Sequence, residues 1–240
     1  MVSSERASAL TFPEEQKRLA GEAAAAMVES GMIVGLGTGS TAAWFVRALA
    51  SRMQAEKLDV RGVATSKVTE TLAEVLGVPL LELNQVAIDL TVDGADEIGP
   101  GLQLIKGAGA ALLREKLVWE SSRRCIAIAD ASKRVPRLGR FPLPVEVVAF
   151  GHESTVLRIC DALAACDIGA APRLRIRDGE VVVTDSGNLI YDIACGAIEA
   201  PSMLADALKS VTGVVDHGLF LDLADEALIA TETGVERLSP

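Results

Sequence analysis

Aromatic side chains are scarce: two Trp, one Tyr and five Phe make up 3% of the 240 residues. Half of the chain is hydrophobic, so its core has to be assembled from Ala, Val, Leu and Ile. Basic residues are outnumbered, 23 Lys and Arg against 33 Asp and Glu, and the formal charge of −10 argues against nucleic acid as a main partner. Histidine is limited to His152 and His217, without ligand partners nearby in sequence, so a His-rich metal site is not expected. The four cysteines (Cys125, Cys160, Cys166, Cys195) have no CxxC spacing and fit free, mostly buried thiols in a reducing cytosol. No apolar run approaches the roughly 20 residues of a membrane span. Met1 to Leu10 lacks a basic start followed by an apolar stretch, so no secretion signal is expected.

What is present alternates. Helical patterns over Glu14–Val28, Ser40–Met53, Ser66–Leu76 and Ala110–Ser121 interleave with short apolar runs at Met32–Leu36, Val60–Ala64, Leu80–Leu83, Ile88–Val92, Leu102–Ile105 and Cys125–Ala129. Strands alternating with helices predict an α/β fold with a mostly parallel sheet covered on both faces. The rhythm changes at Arg140-Phe141-Pro142-Leu143-Pro144, where two prolines suggest a linker or domain edge. Beyond it, strands at Val145–Ala149, Arg173–Arg177, Glu180–Thr184 and Leu189–Ile193 and helices at Glu153–Ala165 and Ser202–Val211 predict a second, smaller α+β unit, with Asp178-Gly179 as a hairpin turn. Leu219–Leu223 and Ala227–Thr231 read as strands that either return to the first unit or extend the second.

Three stretches carry candidate chemistry, each at a predicted strand end, where open α/β sheets build their sites. Gly35-Leu36-Gly37-Thr38-Gly39-Ser40-Thr41 joins a strand to a helix. Glycines let the backbone approach an anion, and the helix start offers unpaired N–H groups, with Ser40 or Thr41 near its cap. The dinucleotide fingerprint needs glycine where Ser40 stands, and the Walker lysine is absent, so a phosphate monoester fits better than a nucleotide. A plain strand-to-helix turn fits the same spacing. Asp93-Gly94-Ala95-Asp96-Glu97 places three acids in five residues, which either polarise sugar hydroxyls, bind a metal or form a solvated turn. Lys106-Gly107-Ala108-Gly109 opens a helix in which Glu115 has Ala111, Leu112, Val118 and Trp119 as helical neighbours. Such neighbours strip hydration from a carboxylate and raise its pKa toward that of a working base, while Lys106 opposes the shift. Flanking Arg114 and Lys116 equally suit a surface salt-bridged helix. Lys133 and Thr65-Ser66-Lys67 follow other strands and could add a cation and hydroxyl donors, whereas Thr184-Asp185-Ser186-Gly187-Asn188 has ordinary turn composition.

In order and spacing, GLGTGSTA (35–42), ATS (64–66), DGADEI (93–98), KGAGAALLREK (106–116), ADASK (129–133), FPLPVEV (141–147), TDSGN (184–188) and GVVDHGLF (213–220) resemble the type A ribose-5-phosphate isomerases over nearly the whole chain. The resemblance implies interconversion of D-ribose 5-phosphate and D-ribulose 5-phosphate in the non-oxidative pentose phosphate pathway, without metal or organic cofactor. It also implies a Rossmann-like domain (1–141 with 217–240), a ferredoxin-like small domain (142–216), a cytoplasmic location and a homodimer or homotetramer. Carried over by position, Glu115 is the general base, with Asp93, Asp96 and Lys106 as polar catalytic residues. Thr38, Gly39, Ser40, Thr41, Gly94, Ala95, Gly107, Ala108, Gly109, Lys133 and Lys17 fall on substrate-contacting segments. Ala108 departs from the family, which often has a third glycine there; its methyl is tolerated if φ is negative. Competing readings are another enzyme on a similar scaffold (an amino-sugar phosphate deaminase or a CoA transferase) and a sugar-phosphate sensor without catalysis. No basic helix-turn-helix segment of the kind such sensors carry is evident.

Overall fold

The computed structural model describes residues 11–84 and 86–240; the expectation about Met1 to Leu10 lies outside them. In chain order the elements are α1 (Phe12–Ala25), β1 (Ile33–Leu36), α2 (Ser40–Glu56), β2 (Arg61–Ala64), α3 (Lys67–Val75), β3 (Leu90–Gly94), β4 (Glu97–Ile98), β5 (Leu104–Ile105), α4 (Leu112–Glu120) and β6 (Cys125–Asp130). They continue with β7 (Leu143–Val147), α5 (His152–Ala165), β8 (Arg173–Leu174), β9 (Ile176–Arg177), β10 (Glu180–Val181), β11 (Leu189–Ile193), α6 (Pro201–Lys209), β12 (Val214–His217), β13 (Leu219–Phe220), β14 (Glu226–Thr231) and β15 (Gly234–Leu238). No helix among the described residues is long and apolar enough to cross a membrane.

The central sheet has the order β15-β14-β6-β3-β1-β2. Every neighbouring pair is parallel except β14–β15. From β1 the chain passes to β2 on one side and to β3 on the other, so the order reverses between β1 and β3, and a crevice opens beyond their carboxyl ends. On one face α1 and α2 close the core: Ala20, Ala24, Phe45, Val46 and Leu49 pack on Val34, Leu36, Val92 and Ile128. Gly21 lets these two helices touch, since a Cβ there would lie 2.6 Å from Phe45 N. On the other face α4 contributes Val118 and Trp119. Trp119 meets Phe220 edge to face, with centroids 5.7 Å apart.

A four-stranded antiparallel sheet, β12-β7-β11-β8, has a core of its own built from Leu143, Val145, Val147, Ile159, Leu163 and Leu208 under α5 and α6. β13-β5-β4 forms a small antiparallel sheet that joins this layer to the central one.

Several expected elements change. Leu80–Leu83 is not a strand: only Leu80 bridges to Gly62, because Pro79 and the turn at Leu83 and Asn84 leave no room for a ladder. Residues 100–102 form a 3₁₀ turn, with Gly101 and Leu102 at positive φ, so β5 starts only at Leu104. The fourth helix begins at Leu112 rather than Ala110, whose φ of 59° is left-handed. Arg173–Arg177 is split at Arg175, and the strand from Glu180 stops at Val181. Leu143 and Pro144, expected at a domain edge, already belong to β7. The tail divides: Leu219–Phe220 pairs with β5, whereas Glu226–Thr231 enters the central sheet beside β6. The four cysteines are free, but only Cys125 is buried; the other three are half-buried.

Candidate active site

The Gly37–Gly39 loop leaves β1 and runs into α2 against Asp93 at the end of β3. Gly37 is required by contact: a Cβ there would lie 2.2 Å from Asp93 Oδ1 and 2.5 Å from its Cα. Gly39, at φ 109°, takes the N-cap position, and neither Ser40 nor Thr41 caps the helix with its side chain as expected. Their hydroxyls are left at the rim of a cavity of about 270 Å³. The Thr65 and Ser66 hydroxyls do not reach into it either. Thr38 Oγ1 lies 2.7 Å from both Thr65 Oγ1 and Ser66 Oγ, and the Thr65 and Thr69 hydroxyls donate to Leu36 O and Gly37 O. This buried hydroxyl cluster fixes the glycine loop.

Asp93 is fully buried. Its Oδ1 accepts from Thr38 N (2.9 Å) and Gly94 N (2.7 Å), and its Oδ2 lies 3.0 Å from Lys106 Nζ. Lys106, 2% exposed, also donates to Gly94 O at 2.5 Å and stands 3.3 Å from Glu115 Oε1. Beneath its ammonium lie the rings of Trp119 and Phe220, at 5.7 and 5.4 Å, which is where two of the few aromatics are used. Asp96 accepts from Ala108 N at 2.8 Å, tying the acidic stretch to the lysine turn. Ala108 does not have a positive φ, so its methyl is accommodated; in this turn Gly107 (115°) and Ala110 are the residues at positive φ.

Glu115 lies on the inward stripe of α4 with Leu112, Lys116 and Trp119 and is 3% exposed. Its Oε2 is buried with no hydrogen-bond partner. Burial pushes its pKa up to about 8; the Lys106 ammonium opposes the shift, and the Asp93 and Asp96 carboxylates add to it. Burial raises the Asp93 carboxyl too. For Lys106 burial is the largest single influence and favours the neutral amine, yet Asp93 and Glu115 outweigh it and hold the ammonium's pKa above its usual value. Two N–H groups and the ammonium support Asp93, and only the ammonium supports Glu115. A proton held in this cluster therefore rests on Glu115.

Around the cavity the structure gathers nearly every residue singled out above. Gly94, Ala95, Asp96, Lys106 and the Gly107–Gly109 turn line one wall with Glu115, the Thr38–Thr41 loop lines another, and Lys17 and Lys133 stand at the mouth. Asp93 lies beneath the wall rather than on it. Lys17 is held by Glu14 at 2.7 Å, and Glu14 also accepts from Trp44 Nε1 at 3.1 Å. Among the described residues no group of three or more His, Cys, Asp or Glu side chains is arranged to hold a metal ion.

Residues 61–234 match the family model for ribose 5-phosphate isomerase A (phosphoriboisomerase A). The chain belongs to that family. Ribose-5-phosphate isomerase A from Caulobacter vibrioides is 66% identical over 228 residues, 95% of this chain and 99% of that protein. The Synechococcus protein of the same name is 52% identical over 94% of this chain and 97% of its own length. Among solved structures, ribose 5-phosphate isomerase from Plasmodium falciparum superposes with a TM-score of 0.91 at 37% identity, covering 95% of this chain and 99% of that one. A D-ribose-5-phosphate isomerase in complex with phospho-erythronic acid gives 0.88 at 36%, over 96% and 100%.

Behind the cavity wall stand residues whose roles no sequence motif marks. Lys116, suspected of a surface role, is buried and pairs with Asp216 at 2.5 Å while donating to His217 O at 2.8 Å. Its place one turn after Leu112 on the inward stripe was the available signal that it needs a buried counter-ion. The turn at 184–188, given no role, also holds structure. Thr184 and Asn188 donate to the buried Glu146, and Asp185 accepts from Lys67 N at the start of α3.

Proposed function

We propose that this chain interconverts D-ribose 5-phosphate and D-ribulose 5-phosphate in the cavity beyond β1 and β3, with Glu115 as the base. One observation carries the reading: a buried carboxylate oxygen without a partner, 3.3 Å at its other oxygen from the Lys106 ammonium, in a cavity lined by two glycine-containing turns. Once the sugar is open, Glu115 takes the C2 proton, a proton passes from the C2 hydroxyl to the C1 oxygen, and Glu115 returns its own proton to C1, which leaves the carbonyl at C2. Removing the C2 proton puts negative charge on the C1 oxygen, and Lys106 stabilises the resulting enediolate. Asp96, on the cavity wall, assists ring opening by exchanging a proton with the ring oxygen or the C1 hydroxyl, while Asp93, beneath the wall, acts through Lys106. The Thr38–Thr41 loop, with Lys133 and Lys17, holds the phosphate, and Gly94, Ala95 and the Gly107–Gly109 turn contact the sugar. Binding the far phosphate positions the reacting carbons, because it fixes their orientation before the proton moves.

Related proposals concern organisation. Residues 1–141 with 217–240 act as the catalytic unit and 142–216 as a smaller one, an arrangement favoured by the separate core beneath α5 and α6. The chain works in the cytoplasm as a homodimer or homotetramer; the exposed Val148, Phe150 and Leu157 offer apolar surface for such contact. Light scattering on the purified chain tests the assembly. For the activity, ribulose 5-phosphate formation from ribose 5-phosphate by the purified chain is the measurement, and no conversion above the uncatalysed rate would overturn the assignment.

A further inference from the structure

Arg175 sits in the break between β8 and β9, in the small antiparallel layer. Its backbone is paired on both sides, N to Ile190 O (2.8 Å) and O to Val182 N (3.0 Å). Its side chain leaves that layer. Nη1 donates to Gly107 O at 2.7 Å and to Ala108 O at 3.2 Å, and Arg177 Nη2 adds a second bond to Ala108 O at 3.2 Å. The other edge of the guanidinium is held by Asp192, with Nε 2.8 Å from Oδ2 and Nη2 on Oδ1. Arg175 is 9% exposed. A buried arginine aimed at two successive carbonyls of a glycine-rich turn is not needed to close either core.

Peptide planarity gives the arrangement its meaning. In a trans peptide the C=O and the following N–H point in opposite directions. With Gly107 O turned to the guanidinium, Ala108 N–H points the other way, and it meets Asp96 Oδ2 at 2.8 Å. With Ala108 O turned to Arg175 and Arg177, Gly109 N–H is directed away from them, on a residue that lines the cavity. A positive charge behind each carbonyl also polarises its peptide and strengthens the donor at the far end. Lys at 175 would be a point charge; the planar fork is what can engage Asp192 and the turn together.

We propose that Arg175 is a positioning residue for the reaction: it orients and polarises the Gly107–Gly109 turn so that its N–H groups fix Asp96 and face the substrate. This rests on the isomerase reading of the cavity. The test compares wild type, Arg175→Ala and Arg175→Lys for ribose 5-phosphate turnover and thermal melting, with guanidinium chloride at millimolar concentration as a rescue agent. An opening of about 260 Å³ bordered by Ala108, Arg175 and Asp192 gives it access from solvent. Both variants are expected to lose about ten-fold or more in kcat/KM through misplacement of the turn. Guanidinium should restore several-fold of the loss in Arg175→Ala, and methylammonium should not. Glu115→Gln, treated alike, should not recover. Calorimetric binding of phospho-erythronic acid, expected to weaken in parallel, provides a readout that does not depend on turnover. Should Arg175→Ala not fold, Arg175→Lys carries the comparison. A folded variant with wild-type kcat/KM and wild-type binding overturns the proposal, and so does a loss in Arg175→Ala that guanidinium leaves untouched. A wild-type chain without turnover overturns the isomerase reading instead, and the binding comparison then decides whether Arg175 orders the turn.

Discussion

Replacing Glu115 by Gln separates what the carboxylate does for the reaction from what it costs the fold. The amide keeps the shape and loses the basicity, so turnover should fall by about 10²-fold or more, as expected when a general base is removed. Stability should move the other way with pH. Burial lifts the Glu115 pKa from 4.5 to about 8. Between those values the folded chain keeps a proton that the unfolded chain has given up. This contribution is therefore fully present below 4.5 and is lost as pH rises through about 8. The wild type should lose up to about 1.4 kcal/mol per pH unit relative to the Glu115→Gln variant, whose amide cannot ionise, and on the order of 5 kcal/mol across the window. Against this stands a fixed offset. The oxygen that lacks a partner becomes part of an amide, and an unpaired buried amide costs about 1–3 kcal/mol at every pH. The slope, not the absolute melting temperature, is thus the quantity to read.

For a chain of this length 1 kcal/mol corresponds to about 2–4 °C in Tm. The difference in Tm between Glu115→Gln and wild type should then grow by about 3–5 °C per unit between pH 5 and 8. Calorimetric or fluorescence melts at four or five pH values suffice. Parallel Tm curves for the two proteins would refute the claim that a buried carboxyl ionises here. Near-normal turnover in the variant would refute its role as base. The two results are independent, so one can fail while the other stands.

Three further outcomes are expected. Gly37→Ala drives a methyl into the Asp93 carboxyl and Cα, so it should destabilise the chain by about 1–3 kcal/mol, an overpacking cost, and lower kcat/KM with it; a Tm and a rate equal to wild type would count against the contact. His217 should stay neutral through physiological pH, since burial pushes its pKa down to about 4; titration of its ring resonance above pH 6, told from His152 with His152→Gln, would contradict this. Lys116→Met leaves Asp216 buried with only Lys209, 2.7 Å away, as counter-ion, so a loss toward the lower end of about 3–5 kcal/mol is expected, or about 6–12 °C in Tm; a Tm within about 2 °C of wild type would mean the pair adds nothing.

The stretches that carry local chemistry were legible because their residues are neighbours in sequence. Thr38 to Thr41 and Gly94 to Asp96 meet at one cavity because they follow β1 and β3, parallel neighbours that end on the same side; Lys106 to Gly109 reaches it from β5, in the small antiparallel sheet. What escaped was set by partners far along the chain. Lys116 reads as a surface cation until Asp216, 100 residues later, is brought to it. Thr65 and Ser66 read as ligand donors until Thr38, nearly 30 residues earlier, takes up their hydroxyls. Arg175 lies in a segment of ordinary strand composition, and nothing near it in sequence tells of carbonyls 68 residues away. β12 and β15 were not expected because neither gives an apolar run to read: β12 buries the polar Asp216 and His217, and β15 carries the exposed Glu236 and Arg237.

The placement of Lys106 gives the proposed mechanism its electrostatic logic. Its ammonium is shared by Gly94 O, Asp93 and Glu115, and the contact with Glu115, at 3.3 Å, is the longest of the three. When Glu115 takes the C2 proton it becomes neutral and no longer holds the ammonium. At the same moment charge appears on the C1 oxygen. The ammonium can turn from one anion to the other, so the buried charge is moved rather than created. Creating it would cost several kcal/mol of desolvation per ion; moving it within reach of a fixed counter-ion avoids most of that cost. Asp93 makes this possible by being anchored elsewhere. Two backbone N–H groups hold its Oδ1, so it keeps Lys106 charged and in place while Glu115 changes state. A chain of net charge −10 can therefore support an anionic intermediate with one buried lysine, provided that of its two carboxylate partners one is fixed and the other is free to be protonated.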